Sequence, residues 1–387
     1  MRSPLVPLSS VCKLDRQSIR SGLRPELRYV GMESVEAHTG QLLNGDFSKT
    51  PEAPEANSFH FNSTHVLYGK LRPYLNKVYA PEAEGKCSTE LIPLRPSEEL
   101  DRHYLAYFLR TPSSVAAISQ KVAGARMPRA DMDFVMSMPI PLPTVSEQRR
   151  VVELLSRAEG IVRMRRDAEA KNKEIIPALF VDMFGDSARN ERGWPVSALD
   201  ELCQSISDID HKMPKAVDVG IPFVSAKDLL DDGSLSFKSI KNISRNDFQR
   251  LSRKSRPERN DIIYSRIGAR LGKARLVEVD FEFLASYSCC TVKPDHNLID
   301  AEFLCQLMDS PSLLQQAHRG VKAIAVPDLG LQEIKAFRII VPPMGLQKSF
   351  ATRRSRARSL CSDQQAACAH AERVLQSLLA GVFENNQ

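Results

Sequence analysis

Short apolar runs separated by turn residues alternate with stretches of helical spacing along most of the chain. The apolar runs are rich in β-branched and aromatic residues, which favours strands, and they lie at 64–67, 77–80, 91–94, 261–264, 274–279 and 289–292. A stretch with helical spacing follows each set, HYLAYFLRTP after the first and AEFLCQLMDSPSLLQQA after the second. This alternation predicts an α+β fold.

A long helix is predicted to begin inside the segment PIPLPTVSEQRRVVELL, residues 139–155. Thr144 and Glu147 have the spacing of a capping box, in which each side chain accepts a hydrogen bond from the other residue's backbone N–H. Apolar side chains then recur at heptad-like spacing, at Val151, Leu154, Ala158, Ile161, Ile175 and Leu179. A second helix carries a matching stripe at Phe350, Ala357, Leu360, Ala367, Ala371, Val374 and Leu378.

Neither helix can bury its apolar stripe alone, since a helix of about 35 residues is roughly 50 Å long. We therefore predict that the two stripes bury each other in an antiparallel pair; the alternative is that each helix packs on its own domain. The second helix has the poorer cap, because Pro343 stands where the first helix has Thr144.

The chain repeats itself. IPLPTVSEQ ends at Gln148 and IIVPPMGLQ ends at Gln347, an offset of 347 − 148 = 199 residues, and HVLYGKLRPYLNKV likewise matches DIIYSRIGARLGKA. The duplication predicts two similar globular domains separated by two long antiparallel helices, with internal pseudo-twofold symmetry. The predicted boundaries are a first domain at 1–143, a central helix at 144–184, a second domain at 185–343 and a C-terminal helix at 344–387.

The composition is that of a globular protein, with 42% hydrophobic and 26% charged residues among 387. No apolar run reaches the roughly 18 residues that span a bilayer, and no signal peptide is recognisable. The eight cysteines include no CxxC pair, so we expect reduced thiols in a cytoplasmic protein. The net charge of +6 permits a polyanionic partner without requiring one.

Catalytic motifs are missing: the sequence has no HExxH, no GxSxG and no zinc-spaced cluster, so we predict no catalytic site, metal or cofactor in this chain. One alternative is a metal-dependent nuclease built on Asp328, Glu333 and Lys335, because these residues follow the PD…ExK sequence pattern of many such nucleases. Those nucleases bring their acids and lysine together from neighbouring strands. Asp328 and Glu333 are only five positions apart, which favours a solvated loop and helix start instead.

Basic residues interleaved with tyrosines cluster at equivalent places in both repeats. Lysine and arginine neutralise phosphates, and arginine also reads guanine. Each basic turn taken singly is typical of a solvated surface, and the recurrence makes DNA binding an equal alternative to that interpretation. The candidate DNA-binding residues of the first repeat are Tyr68, Lys70, Arg72, Tyr74, Lys77, Arg126 and Arg129. Those of the second repeat are Tyr264, Arg266, Arg270, Lys273, Arg275 and Lys322.

The order of these segments resembles a known family. IPLPTVSEQRRVVELL, the repeated VLYGKLRPYLNKV segment, and EIIPALFVDMFGD followed by GWPVSALDEL are similar to the DNA-specificity subunits of type I restriction–modification systems. The resemblance covers nearly the whole chain. The second helix departs from the pattern, because Leu346 replaces the glutamate of the EQ pair.

The resemblance implies a non-catalytic subunit with two target recognition domains, each reading one half of a split double-stranded DNA site. It implies that the two helices set the spacing between the half-sites and dock two modification subunits. Those partners would carry S-adenosylmethionine and methylate adenine, while restriction subunits, where present, would supply the nuclease and the motor.

Overall fold

The computed structural model describes residues 3–43, 55–124, 126–321 and 327–384. It divides into two compact units: unit 1 is Met1–Arg166 with Ala366–Gln387, and unit 2 is Asp167–Gln365. Each unit mixes sheets with helices, which confirms the predicted α+β class. The units cut across the predicted domain boundaries, because each long helix contributes residues to both of them.

Unit 1 is built on two four-stranded sheets. Its strands are β1 (Leu5–Pro7), β2 (Cys12–Leu14), β3 (Ser18–Ile19), β4 (Tyr29–Val30), β5 (Ser58–Phe61), β6 (Val66–Gly69), β7 (Val78–Tyr79), β8 (Gly85–Ser88), β9 (Leu91–Pro96), β10 (Val122–Ala123), β11 (Arg129–Ala130) and β12 (Pro139–Pro141). The sheet β2-β9-β6-β7 is antiparallel throughout, and β3-β5-β8-β4 ends in a parallel pair. Its helices are α1 (Leu8–Val11), α2 (Arg102–Arg110), α3 (Pro112–Gln120), α4 (Met132–Ser137) and the first part of α5 (Val145–Phe184), together with the end of the C-terminal long helix.

Unit 2 repeats this plan. Its strands are β13 (Val196–Ala198), β14 (Cys203–Ser207), β15 (Ile221–Val224), β16 (Asn242–Ile243), β17 (Ile262–Ser265), β18 (Ala274–Leu276), β19 (Leu284–Ala285), β20 (Cys289–Pro294) and β21 (Arg338–Ile340). Its helices are the end of α5, α6 (Arg245–Leu251), α7 (Ala301–Met308), α8 (Pro311–Gly320), α9 (Leu331–Lys335) and the first part of α10 (Met344–Phe383). The sheet β14-β20-β17-β18 has the order and directions of β2-β9-β6-β7, as the sequence repeat requires.

The central strand of each sheet serves two cores, because successive side chains point to opposite faces. In β6, Tyr68 packs in the cluster that contains α2, while Leu67 packs in a second cluster with Phe61. In β17, Tyr264 packs in the cluster that contains α7, while Ile263 packs in a second cluster with Val224. A strand buried on both faces reads as a continuous apolar run, which is why the sequence located these strands to within about two residues.

Each unit contains the start of one long helix and the end of the other. In unit 1, Leu155 of α5 lies in one apolar cluster with Leu379 and Phe383 of α10. In unit 2, Phe180 and Phe184 of α5 share a cluster with the first turns of α10. Within each unit, residues of both long helices therefore share an apolar cluster with residues of the domain itself.

The predicted heptad stripes are only partly buried: Val151, Leu179 and Phe350 pack in the apolar clusters, whereas other members do not. Leu154 and Ile161, expected to be buried, are exposed, and the buried line of α5 lies one position further along at Gln148, Leu155 and Val162. The equivalent line in α10 includes Gln347, Arg354 and Cys368, so two of its buried positions are polar or charged. The helices lie on a sheet-and-helix domain rather than only on each other, and a polar residue at a buried position hides the true stripe from a hydrophobicity pattern.

The predicted capping box at the start of α5 is confirmed. The Thr144 backbone N–H donates to Glu147 Oε2 at 3.0 Å, and the Glu147 N–H donates to Thr144 Oγ1 at 3.3 Å. The hydrogen bond from the Thr144 hydroxyl, followed by that from its backbone, lowers the pKa of Glu147. The long helix is therefore started by local residues, as the sequence predicts.

A buried glutamine ties each long helix to its domain. Gln148 Oε1 accepts from the Asp101 backbone N–H at 2.8 Å, and Gln148 Nε2 donates to the carbonyl oxygens of Glu99 and Pro143. Gln347 repeats the contact, accepting from the Asp300 N–H at 2.8 Å and donating to the Pro342 carbonyl. Because Asp101 and Asp300 cap α2 and α7, the glutamines join the start of each long helix to the start of a domain helix.

We expect Gln148→Ala to lower the free energy of unfolding by about 2–3 kcal/mol, because it leaves buried N–H and C=O groups without partners. Urea unfolding of the full chain measures the loss. The neighbouring Glu147→Ala, which removes an exposed capping contact, is the matched control and should cost less. Equal losses in the two variants would refute the role assigned to Gln148.

Among the residues described, no helix is long and apolar enough to cross a membrane. Cys12, Cys87, Cys289, Cys290 and Cys305 are buried, as expected for core thiols. Burial raises the pKa of the Cys289 thiol to about 12, so it is protonated at neutral pH.

Candidate nucleic-acid interface

In unit 1 the loop between β6 and β7 is joined to the β10–β11 hairpin. The Arg72 backbone N–H donates to the Pro128 carbonyl at 2.7 Å, and the Ala130 N–H donates to the Lys70 carbonyl at 2.8 Å. Two segments that are distant in the sequence, and that carry the candidate residues Lys70, Arg72, Arg126 and Arg129, are therefore joined by backbone hydrogen bonds.

Arg72 lies in the left-handed backbone region, with φ of 51° and ψ of 64°. That region costs an ordinary L-residue about 1–2 kcal/mol and favours glycine. In the equivalent loop of unit 2 the matching residue is Gly268, with φ of 92° and an N–H that donates to the Pro327 carbonyl at 2.9 Å. Unit 1 thus places an arginine at a position where unit 2 has the glycine that the backbone favours, and such strain is typical of functional positions.

The basic surface of unit 1 keeps most of its charge. Glu90 binds Arg129 at 2.9 Å and lies 3.9 Å from Lys70, and its hydrogen bond raises the pKa of Arg129. In the part of the chain that is described, no acidic group lies within 4 Å of Arg72 or Arg126, and both are exposed. Lys77 donates to the Met32 carbonyl at 2.6 Å. The five cations Lys70, Arg72, Lys77, Arg126 and Arg129 against Glu90 leave 5 − 1 = +4.

The tyrosines of this loop divide between surface and core. Tyr74 is 49% exposed and lies two residues from Arg72, so it is available to a ligand. Tyr68 and Tyr264 are buried in the cores of their units, and burial raises the pKa of both hydroxyls. Their assignment to the DNA-binding surface is corrected: they are core residues of β6 and β17, where strand alternation turns them inward.

In unit 2 the equivalent cations are neutralised by acids. Arg266 is buried between Asp208 and Asp328, with N–O distances of 3.5 and 3.3 Å. Arg270 and Lys273 both contact Asp231, at 3.0 and 3.2 Å. The hydrogen bond from Lys273, together with the charge of Arg270, lowers the pKa of Asp231.

Arg275 completes this pattern in unit 2. Its side chain is 1% exposed, and Nη1 lies 2.9 Å from Asp309 while Nε donates to the Leu230 carbonyl at 2.7 Å. The four described cations therefore face four aspartates, for a net 4 − 4 = 0. The assignments of Arg266 and Arg275 as DNA contacts are corrected, because both guanidinium groups are buried in structural ion pairs. Lys322 lies outside the described residues.

The nuclease alternative finds no support in the geometry. Asp328 binds Arg266, while Lys335 belongs to α9 and binds Asp200 at 3.1 Å. Asp328 forms an isolated β-bridge with Ile267, whereas Glu333 and Lys335 lie in the helix α9, so the three residues do not come from neighbouring strands. Within the described ranges no group of three or more acidic, histidine or cysteine side chains could hold a metal ion.

Sequence reasoning missed one basic loop of unit 2. Lys212 and Lys215 are exposed between β14 and β15, next to His211, whose ring stacks on Tyr287 with centroids 5.1 Å apart. Asp208 and Asp210 precede them and mask the basic signal in the sequence. Lys254 lies 3.6 and 3.4 Å from these two aspartates and offsets their charge, which only the structure reveals.

Both repeats match one protein family. Residues 51–171 and 191–355 match the type I restriction modification DNA specificity domain. Since these two segments make up most of the chain, the protein belongs to this family.

Two curated relatives are specificity subunits. The type I restriction enzyme EcoDI specificity subunit of Escherichia coli is 23% identical over 164 residues, which covers 41% of this chain and 36% of the relative. The MjaIX specificity subunit of Methanocaldococcus jannaschii is 22% identical over 273 residues, covering 66% and 62%. The chain thus spans about a third of the first relative and less than two thirds of the second.

Solved structures share the fold over the whole chain. A chain from a structure on complex assembly and conformational transition of the type I restriction–modification system has a TM-score of 0.65 at 17% identity, covering 99% of this chain and 98% of that one. The S subunit from M. genitalium has a TM-score of 0.58 at 13% identity, covering 98% and 96%. At these identities the likeness concerns the fold.

Proposed function

We propose that this chain is the non-catalytic, sequence-specific DNA-binding subunit of a type I restriction–modification complex, and that each repeat reads one half of a bipartite site. The observation that carries this proposal is that the specificity-domain family matches twice, once in each repeat. The repeated sheet order and the net +4 surface of unit 1 support it, because phosphate contacts position such a protein while base contacts specify the sequence.

We propose further that α5 and α10 form an antiparallel pair related by a pseudo-twofold axis and that they set the distance between the half-sites. Support comes from within each unit, where the start of one helix packs beside the end of the other. Ion pairing and hydrogen bonding between the helices add to this: Arg166 lies 2.6 Å from Glu372, and Asn172 donates to Gln364 at 2.5 Å. The proposed reader domains are 1–143 and 185–343, with spacers at 144–184 and 344–387.

The proposed partners are double-stranded DNA, two modification subunits that bind S-adenosylmethionine, and restriction subunits where the system has them. We place this assembly in the cytoplasm. The chain itself supplies no cofactor site in this scheme; its contribution is to hold a modification subunit over an adenine within each half-site.

A methylome tests the function. Cells that express this chain with its modification subunit should carry N6-methyladenine in a two-part asymmetric motif with a fixed gap. Cells that express the modification subunit alone are the control and should lack the motif. Methylation at the same sites without this chain, or a motif without a gap, would refute the proposal.

A further inference from the structure

The solvent face of α5 in unit 1 carries large apolar side chains. Leu154, Ile161 and Met164 are 48, 46 and 64% exposed. With Arg150 and Arg157 they form the series 150, 154, 157, 161, 164, whose spacing of three and four places all five on one helix face. Leu154 and Ile161 belong to the stripe that the sequence predicts to be buried, yet Leu155 and Val162, which α5 buries in its unit, lie on the other side of the helix. Exposed apolar stripes of this kind mark interaction surfaces.

The charges around this stripe indicate what covers it. Arg150 and Arg165 have no acidic group within 4 Å among the described residues, and Arg157 pairs only with the exposed Glu153 of its own helix. A second copy of the chain would place arginines against arginines across a twofold contact, which is unfavourable. The fitting partner is a different protein that presents apolar side chains rimmed by acidic ones.

The equivalent face in unit 2 is built differently. The repeat offset of 199 places Arg353 at the position of Leu154, Leu360 at that of Ile161 and Asp363 at that of Met164. Only Leu360 of these is apolar, and it is 58% exposed. A contact made there would be dominated by charged groups, whose attraction is screened by salt.

We propose that the two long helices dock their partners unequally. The α5 face of unit 1 binds an acid-rimmed apolar surface of one modification subunit in a contact that persists in salt. The α10 face of unit 2 binds the second modification subunit mainly through charge. This inference rests on the proposed function and adds an order of assembly: the first partner binds unit 1.

Mass photometry of the full chain mixed with its modification subunit tests the order. We expect two partners per chain at about 0.05 M salt and one at about 0.5 M, where the Debye length falls to a few ångströms. Retention of two partners at high salt, loss of both in parallel, or self-association of the chain through this face would overturn the inference.

Matched substitutions identify the faces. Ile161→Asp should weaken binding of the salt-resistant partner by about 30-fold or more, the loss typical of a central interface side chain. Leu360→Asp, its direct counterpart in the repeat, should leave that partner bound. Equal effects of the two substitutions would overturn the inference.

The same variants separate this inference from the proposed function. Both positions are exposed, so each variant should unfold at the same urea concentration as wild type. Each should also bind duplex DNA alone with unchanged salt dependence. If the unmodified chain bound neither DNA nor a modification subunit, the proposed function and the unequal docking would fall together.

Discussion

Replacing both Arg72 and Arg126 by alanine is expected to weaken DNA binding on the order of 10- to 100-fold at about 0.1 M salt. Both guanidinium groups are exposed and have no acidic partner among the described residues, so their charge is available to phosphates. The slope of log K against log salt should also become shallower by about 1.8, because each phosphate that is no longer neutralised reduces it by about 0.9. Fluorescence anisotropy of the full chain with a duplex, titrated at several salt concentrations, measures both quantities.

Two controls make this result specific. Arg270→Ala removes an arginine from the equivalent loop of unit 2, where Asp231 and the Leu229 carbonyl already bind it, and should change affinity little. Arg72→Gly restores the residue that the left-handed backbone favours, so it should stabilise the fold by up to about 1 kcal/mol while weakening DNA binding. An Arg270 effect as large as that of Arg72 would show that net charge, rather than this loop, governs binding.

Phe184→Ala is expected to lower the free energy of unfolding by about 3–5 kcal/mol, the cost of a large cavity in a well-packed core. Phe184 is 1% exposed, and its ring centroid lies 4.8 Å from that of Phe303 and 5.6 Å from that of Phe350. The substitution therefore loosens the end of α5 from both α7 and the first turns of α10. Urea unfolding monitored by circular dichroism provides the measurement.

Val181→Ala is the matched control for this prediction. Val181 belongs to the same turns of α5 but is 56% exposed, so its substitution should change stability by less than about 0.5 kcal/mol. A decrease below about 1 kcal/mol for Phe184→Ala would mean that the end of α5 contributes little to unit 2.

Local features of this fold are readable in the sequence. The central strands are continuous apolar runs, and the Thr144–Glu147 capping box depends on residues three positions apart, so both are fixed by near neighbours. The repeat offset predicted two similar domains, whereas the order of the strands in their sheets is known only from the structure. The helix stripe was only partly right, because burial along α5 and α10 is decided by the domains they lie on, and those domains accept a glutamine and an arginine at buried positions.

The candidate site shows the same limit. Charge patterning located the loops of both units but could not distinguish an available arginine from a neutralised one. Arg266 and Asp328 are 62 residues apart in the chain, yet they form an ion pair. The residues next to Arg266 and Asp328 in the sequence do not indicate that the two form a pair. Residue types therefore indicated loops whose cations are exposed in unit 1, whereas tertiary contacts neutralise the equivalent cations in unit 2.

The composition of unit 1 has a consequence for biosynthesis. Its core joins Leu155 to Leu379 and Phe383, residues separated by more than 200 positions. Domains usually fold one after another as they leave the ribosome, beginning at the N-terminus. Here the core of unit 1 is completed only after the end of α10 has been translated. A nascent chain stalled before residue 366 would therefore leave an apolar groove in unit 1 exposed to chaperones and aggregation.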